Sequence, residues 1–145
     1  RLKNEKPTGM KQTDYFANTL EIMRSQAGKE NFKYFSSKNT VIGVLSTNAK
    51  LNVEQVNKLA QTAQDGLARV IRPAHTMFDG DTIFCLATGE KEMPATPGFF
   101  AAPKAQCLNE IGHAAADCVS RAIIHAILNA HSIAGMIAFC DLEDR

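Results

Sequence analysis

Two short runs rich in β-branched and apolar residues, Thr40-Val-Ile-Gly-Val-Leu-Ser-Thr47 and Thr82-Ile-Phe-Cys-Leu-Ala-Thr88, stand on either side of one long stretch of helical periodicity. This order constrains the fold more than any other feature of the chain. The first run, bounded by Asn48, suits a strand buried on both faces. The second is closed by Gly89. Between them Leu51, Val56, Leu59, Ala60, Ala63, Leu67, Val70 and Ile71 recur at three- and four-residue spacing. That spacing predicts an amphipathic helix of about five turns. Asn52 and Gln55 form a plausible N-terminal cap pair, and Pro73 stops the helix. Strand, helix, strand predicts a layered α/β or α+β arrangement.

The flanks are simpler. Residues 1–39 carry eight Lys/Arg against four Asp/Glu, net +4, whereas 40–145 carry eight against eleven, net −3. Charge and hydrophobicity therefore divide the chain at the same point. The leader is polar and turn-rich, with one short helix expected around Tyr15 to Gln26 and Gly28 as its stop. Glu90 to Pro103, with three prolines and Gly98, predicts an exposed loop. A long helix is expected over Ala105 to Ala130, where Leu108, Ile111, Ala115, Val119, Ala122, Ile123, Ala126 and Ala130 form a seam of mostly small residues suited to close packing. The chain opens on Arg1, so it is expected to be a piece of something longer.

At 145 residues the chain is long enough for one ordinary domain with a real core. A net charge of +1 with both signs interspersed implies neither nucleic acid nor an anionic membrane as partner. Small or neutral substrates fit better. The four cysteines, Cys85, Cys107, Cys118 and Cys140, form no Cys-x-x-Cys pair and sit in apolar runs. They are expected to be reduced, buried thiols of a cytoplasmic protein. No stretch reads as the ~20 apolar residues of a membrane span, and no secretory signal opens the chain.

Candidate chemistry concentrates at two places. Thr40 stands at the head of the first strand, after Asn39. If the Asn39-Thr40 bond is cut, Thr40 carries a free α-amine beside its hydroxyl, a recognised way to activate a hydroxyl nucleophile. Asp79-Gly80-Asp81 immediately precedes the second strand. Two carboxylates so placed can orient an amine, accept its proton or bind a metal. The same residues are also a favoured turn, so the pattern leaves both roles open. His75 with Asp79 and Asp81 has the residue types of a metal site but the spacing of no strong metal motif, and no metal is expected. His113 with Asp117, and Cys118 with His125, can share a helix face as ordinary pairs. His131 near the helix end suits the helix dipole. Phosphate loops and Gly-x-Ser-x-Gly elbows are absent from the sequence.

Several words in fixed order then point to one family. Asn39-Thr40-Val-Ile-Gly-Val, Thr47-Asn48-Ala49, Ala63-Gln-Asp65-Gly66-Leu67-Ala68-Arg69, Ile71-Arg72-Pro73, His75-Thr76 and Phe78-Asp79-Gly80-Asp81-Thr82 closely resemble the N-terminal-nucleophile aminopeptidase and amidase family. That family includes the L-aminopeptidase/D-esterases, the β-peptidyl aminopeptidases and the nylon-oligomer hydrolases. The resemblance is dense from Asn39 to Gly89 and loose over the later helix. Many relatives use serine, whereas threonine after asparagine is the pattern of the nylon-oligomer hydrolases.

The resemblance implies a precursor that cleaves itself between Asn39 and Thr40, giving an α chain and a β chain headed by Thr40. It implies a four-layer αββα sandwich and assembly of such α/β units into homo-oligomers, tetramers included. On it, residues 1–39 are the end of an α segment with a linker, and 40–145 are the β segment. Asp79 and Asp81 correspond to the catalytic aspartates. The family's catalytic lysine and asparagine come from an upstream α segment that this sequence mostly lacks. The implied reaction is hydrolysis of a peptide or amide substrate through an acyl-Thr40 intermediate, with no cofactor. Two alternatives stand beside it: acyl transfer of the ornithine acetyltransferase kind, and an unprocessed, non-catalytic subunit.

Overall fold

The computed structural model describes residues 19–31, 40–95 and 102–142. Two one-turn-and-a-half helices come first, α1 (Thr19–Arg24) and α2 (Gln26–Asn31). The single helix expected over Tyr15 to Gln26 is thus two, its residues 15–18 lying outside the described ones. Gly28 sits within α2 rather than stopping a helix, because α2 packs on α1 so closely that a Cβ there would meet the Ile22 carbonyl oxygen at 1.9 Å. Ser25 makes the break: its Oγ accepts the Gly28 N–H at 3.0 Å, the geometry of an N-cap.

The core unit is β1 (Ile42–Ala49), α3 (Val53–Val70) and β2 (Thr82–Lys91), with α4 (Ala105–Asn129) packed against it. β1 and β2 pair in parallel, as a helical crossover requires. The protein is therefore a mixed helix-and-strand, α+β molecule. α3 begins where the sequence predicts, with the full capping box present: Gln55 N–H donates to Asn52 Oδ1 and Asn52 N–H to Gln55 Oε1, both at 2.9 Å. β2 runs past Gly89 to Lys91. Gly89, at φ +79°, serves a bulge where the register shifts between Thr47 and Ala49. The loop expected from Glu90 therefore starts later, and Met93 within it is buried.

Leu59, Ala63, Ile83 and Ala115 form the buried cluster, with Leu45, Leu51, Cys85, Ile111 and Val119 around it. The backbones of α3 and α4 nearly touch. A Cβ on Gly66 would stand 2.1 Å from the Ala116 carbonyl oxygen, and one on Gly112 would stand 3.1 Å from Thr62 Cγ2. Ser120 Oγ donates to the Gly66 carbonyl at 2.8 Å, and Arg69 pairs with Asp117 across the same joint. Asp117 thus faces α3 and not His113. Of the expected seam Ala115 is buried and Leu108, Ile111, Val119 and Ile123 are half-buried, whereas Ala122, Ala126 and Ala130 are exposed; Gly112 and Ala116, outside that seam, are the other buried residues of the helix. By length and composition α4 could cross a membrane, against the expectation from the sequence, but its small-residue stripe is buried on α3.

The strands are covered on one face only. Gly43, Leu45, Thr47 and Ala49 alternate with exposed Ile42, Val44, Ser46 and Asn48, and β2 repeats the pattern. Ile42 is 71 % exposed, Val44 76 %, and Phe84 and Leu86 59 % each. An apolar sheet face thus lies open where burial on both faces was expected. The expectation of buried thiols also changes: all four cysteines are free, Cys118 is exposed, and the others are half-buried rather than buried. Burial still pushes the Cys85 thiol up from its ordinary value.

Candidate active site

Thr40 and the Asp79-Gly80-Asp81 word, far apart in sequence, meet at one edge of the sheet because β1 and β2 run parallel in equal step. Ile42 pairs with Thr82, so one residue further back Val41 lies level with Asp81, and two back Thr40 lies level with Gly80. The Thr82 N–H donates to the Val41 carbonyl at 2.9 Å and extends the ladder to that point. Thr40 is exposed at the mouth of the strands. A Cβ built on Gly80 would stand 2.9 Å from Thr40 Oγ1. The hydroxyl therefore lies directly over the glycine backbone, and any larger residue at 80 would push it away. Thr40, Met77, Phe78, Asp79 and Gly80 together line an open hollow of about 320 Å³.

The two carboxylates are held differently. Asp79 closes its own turn: its Oδ2 accepts the Thr76 N–H at 2.7 Å, and its N–H donates to the Thr76 carbonyl at 3.1 Å. It is at once a turn residue and part of the wall of the hollow. Asp81 points inward, its side chain only 7 % exposed. A carboxylate so buried persists only with partners on its oxygens. Its Oδ1 accepts the Val41 N–H at 3.0 Å, and its Oδ2 faces His75 Nδ1 at 3.5 Å. Asp81 is thereby tied to the peptide that carries Thr40. Asn39, the other half of the expected processing site, lies outside the described residues.

Two contributors were not singled out from sequence for what they do here. Gly80 had the signature of a turn glycine, and its contact with Thr40 depends on strand register. His75 had only the residue type of a ligand; its pairing with Asp81 follows from a φ of 55°, which sequence does not announce. His75 and Asp81 lie 3.5 Å apart, but the ligating atoms of His75, Asp79 and Asp81 do not come together as a group of three. One other donor group does converge among the described residues. His131, Cys140 and Asp141 place their ligating atoms within 4.8 Å of one another beyond the end of α4. Each is already engaged there. Asp141 Oδ2 accepts the Ser132 N–H at 2.6 Å, the Cys140 thiol donates to the Ala130 carbonyl at 2.6 Å, and His131 Nδ1 lies 3.7 Å from Asp141 Oδ1. The bonds from Ser132 chiefly hold the Asp141 carboxyl down at about 2, while burial first and then Asp141 push the Cys140 thiol up. This cluster closes the helix end.

A strand-headed threonine thus lies over a glycine, with a buried aspartate bonded to the next peptide. The profile of Peptidase family S58 matches residues 6–138, and the chain belongs to that family. It is 48 % identical over 109 residues to an uncharacterized aminopeptidase of Mycobacterium leprae (strain TN), covering 74 % of this chain and 30 % of that protein. An uncharacterized aminopeptidase of Mycobacterium tuberculosis (strain ATCC 25618 / H37Rv) is 46 % identical over 106 residues, 72 % of this chain and 31 % of its own length. A 6-aminohexanoate-oligomer endohydrolase of Paenarthrobacter ureafaciens is 38 % identical over 60 residues, 41 % of this chain and 17 % of that protein. The chain thus spans about 30 % of the length of the mycobacterial relatives it matches.

Proposed function

We propose that this chain carries the nucleophile of a self-processing hydrolase of amide or ester bonds, with Thr40 as nucleophile and Asp79 and Asp81 as its charged partners. The observation that carries the proposal is the joint one at the sheet edge: Thr40 Oγ1 over Gly80, with Asp81 bonded to the Val41 N–H. In the precursor, Thr40 Oγ attacks the Asn39 carbonyl carbon. The acyl group passes from nitrogen to oxygen, and water hydrolyses the ester, leaving a carboxylate on Asn39 and a free amine on Thr40.

That amine, with an unperturbed pKa of about 8, is a fair general base near neutral pH. It takes the proton of Thr40 Oγ, directly or through water, as the oxygen attacks the substrate carbonyl. The leaving amine departs protonated, and water then cleaves acyl-Thr40. Asp81 and Asp79 hold and charge-balance the amine. Oxyanion donors belong to the upstream α segment on this reading, as do the remaining catalytic lysine and asparagine.

The same proposal accounts for the bare sheet face. A second sheet from the upstream segment lies over Ile42, Val44, Phe84 and Leu86, completing a four-layer αββα sandwich, and such units assemble as homo-oligomers. The substrate is an aminoacyl amide, a peptide or an amide oligomer, following what the relatives are named for. The test is mass analysis of the full-length protein during turnover of aminoacyl nitroanilides and aminohexanoate oligomers. The proposal expects a transient acyl adduct on the fragment headed by Thr40 and none in Thr40→Ala; turnover by an unsplit Thr40→Ala protein would sink it. Incubation with acetyl-ornithine and glutamate separates hydrolysis from acyl transfer, since a hydrolase needs only water as acceptor.

A further inference from the structure

We propose that His75 is a positioning residue for the nucleophile, acting through Asp81; the inference rests on Thr40 being that nucleophile. Three links lead from His75 to Thr40. Its Nδ1 stands 3.5 Å from Asp81 Oδ2, Asp81 Oδ1 accepts the Val41 N–H at 3.0 Å, and that N–H belongs to the peptide formed by the Thr40 carbonyl. A carboxylate held by one oxygen can pivot about its Cβ–Cγ bond. A partner on each oxygen fixes its plane, and with it the place of the Val41 amide and the Thr40 Cα. The surroundings give His75 little competition: Asp81 is nearly buried, and Asp79 is occupied by the Thr76 N–H.

The backbone supports the same assignment. His75 sits at φ 55°, in the left-handed region that non-glycine residues seldom occupy. Such a conformation persists where surrounding structure imposes it, and it clusters at functional sites. At this position glycine would satisfy the backbone more readily than histidine, so the imidazole is what the conformation serves to place. Its consequence is chemical. A shift of about 1 Å in a reacting group costs on the order of 100-fold in rate, and the His75–Asp81–Val41 chain opposes such a shift at Thr40.

The test uses the full-length precursor and two measurements, the rate of splitting at Asn39-Thr40 by intact mass and the kcat and KM of the matured enzyme. His75→Gly keeps the left-handed backbone and deletes the imidazole. His75→Asn and His75→Asp both tolerate that backbone and match each other in shape, but only asparagine offers a donor to Asp81. Splitting and kcat should fall about 100-fold in His75→Gly and His75→Asp with KM little changed, and His75→Asn should recover to within about 10-fold of the parent. Glycine keeping pace with the parent would overturn the inference, as would equal rates for the asparagine and aspartate variants, a comparison that stands even if the glycine variant fails to fold. A parent protein that turns over substrate without splitting removes Thr40 as nucleophile, whereas a parent that splits beside variants that keep pace removes only His75.

Discussion

Gly80 contributes to the site by having no side chain. A Cβ there would stand 2.9 Å from Thr40 Oγ1, so Gly80→Ala displaces the hydroxyl proposed as nucleophile. Its expected effect is a loss of splitting on the order of 100-fold with the fold retained, read as uncut precursor on a gel beside an unchanged circular dichroism spectrum. Asp81→Asn keeps the shape of the side chain and removes its charge; it should slow splitting and turnover by about 10²–10⁴-fold, and Asp79→Asn by less, since Asp79 is also spent on the Thr76 turn. Unchanged kinetics in both variants would take the carboxylates out of the mechanism. Thr40, Asp79 and Asp81 could be singled out from sequence because each lies just before an apolar run, at the head of a strand. Gly80 against Thr40 and His75 against Asp81 could not. Those contacts depend on parallel pairing in equal step and on one left-handed backbone angle, and neither leaves a mark in residue order.

Elements differ in how fully local sequence determines them. α3 is written out in its sequence, with apolar spacing, Asn52 and Gln55 at its start and Pro73 beyond its end, and Asn52→Ala should cost about 1 kcal/mol in a urea titration. α4 is written only in part, because which stretch of its small-residue seam is covered depends on where α3 crosses it. That crossing is at Gly66 and Gly112. Gly66→Ala drives a methyl into the Ala116 carbonyl and should destabilise by about 1–3 kcal/mol, lowering the urea midpoint without altering the sheet edge. Beyond α4, the Asp141 carboxyl lies at about 2 because Ser132 bonds to it. A depressed carboxyl stabilises the fold above its unfolded value of about 3.9 and loses that effect as pH falls through its folded value. The protection factor of the Ser132 amide, the intrinsic exchange rate divided by the observed rate at the same pH, should therefore fall between about pH 4 and pH 2; a protection factor unchanged over that window would separate the closing turn from Asp141. The two strands are the least determined by local sequence, since an apolar run does not say whether its second cover is near in the chain or far.

At the scale of the molecule the two layers place the candidate site beside a bare apolar face. Ligands of open α/β sheets usually sit at the carboxyl ends of the strands. Here the candidate site is at the amino ends, where the proposed nucleophile, made by cutting the chain before a strand, would have to be. Ile42, Val44, Phe84 and Leu86 each contribute about 1.5–3 kcal/mol when fully covered, enough for the upstream sheet proposed above to be an obligate part of the fold. Phe84→Asp, on the open face and away from Thr40, should leave the full-length protein aggregated or unsplit; a soluble, fully processed Phe84→Asp protein would mean that this face stays in water. All of these expectations depend on whether Asn39-Thr40 is cut, since only a cut chain has the free amine the chemistry needs. Intact mass and N-terminal sequencing of the full-length protein, before and after incubation, decide it. The account predicts a small fragment beginning Thr-Val-Ile-Gly and a single uncut chain for Thr40→Ala, whereas an active protein that remains one chain through Asn39-Thr40 would contradict it.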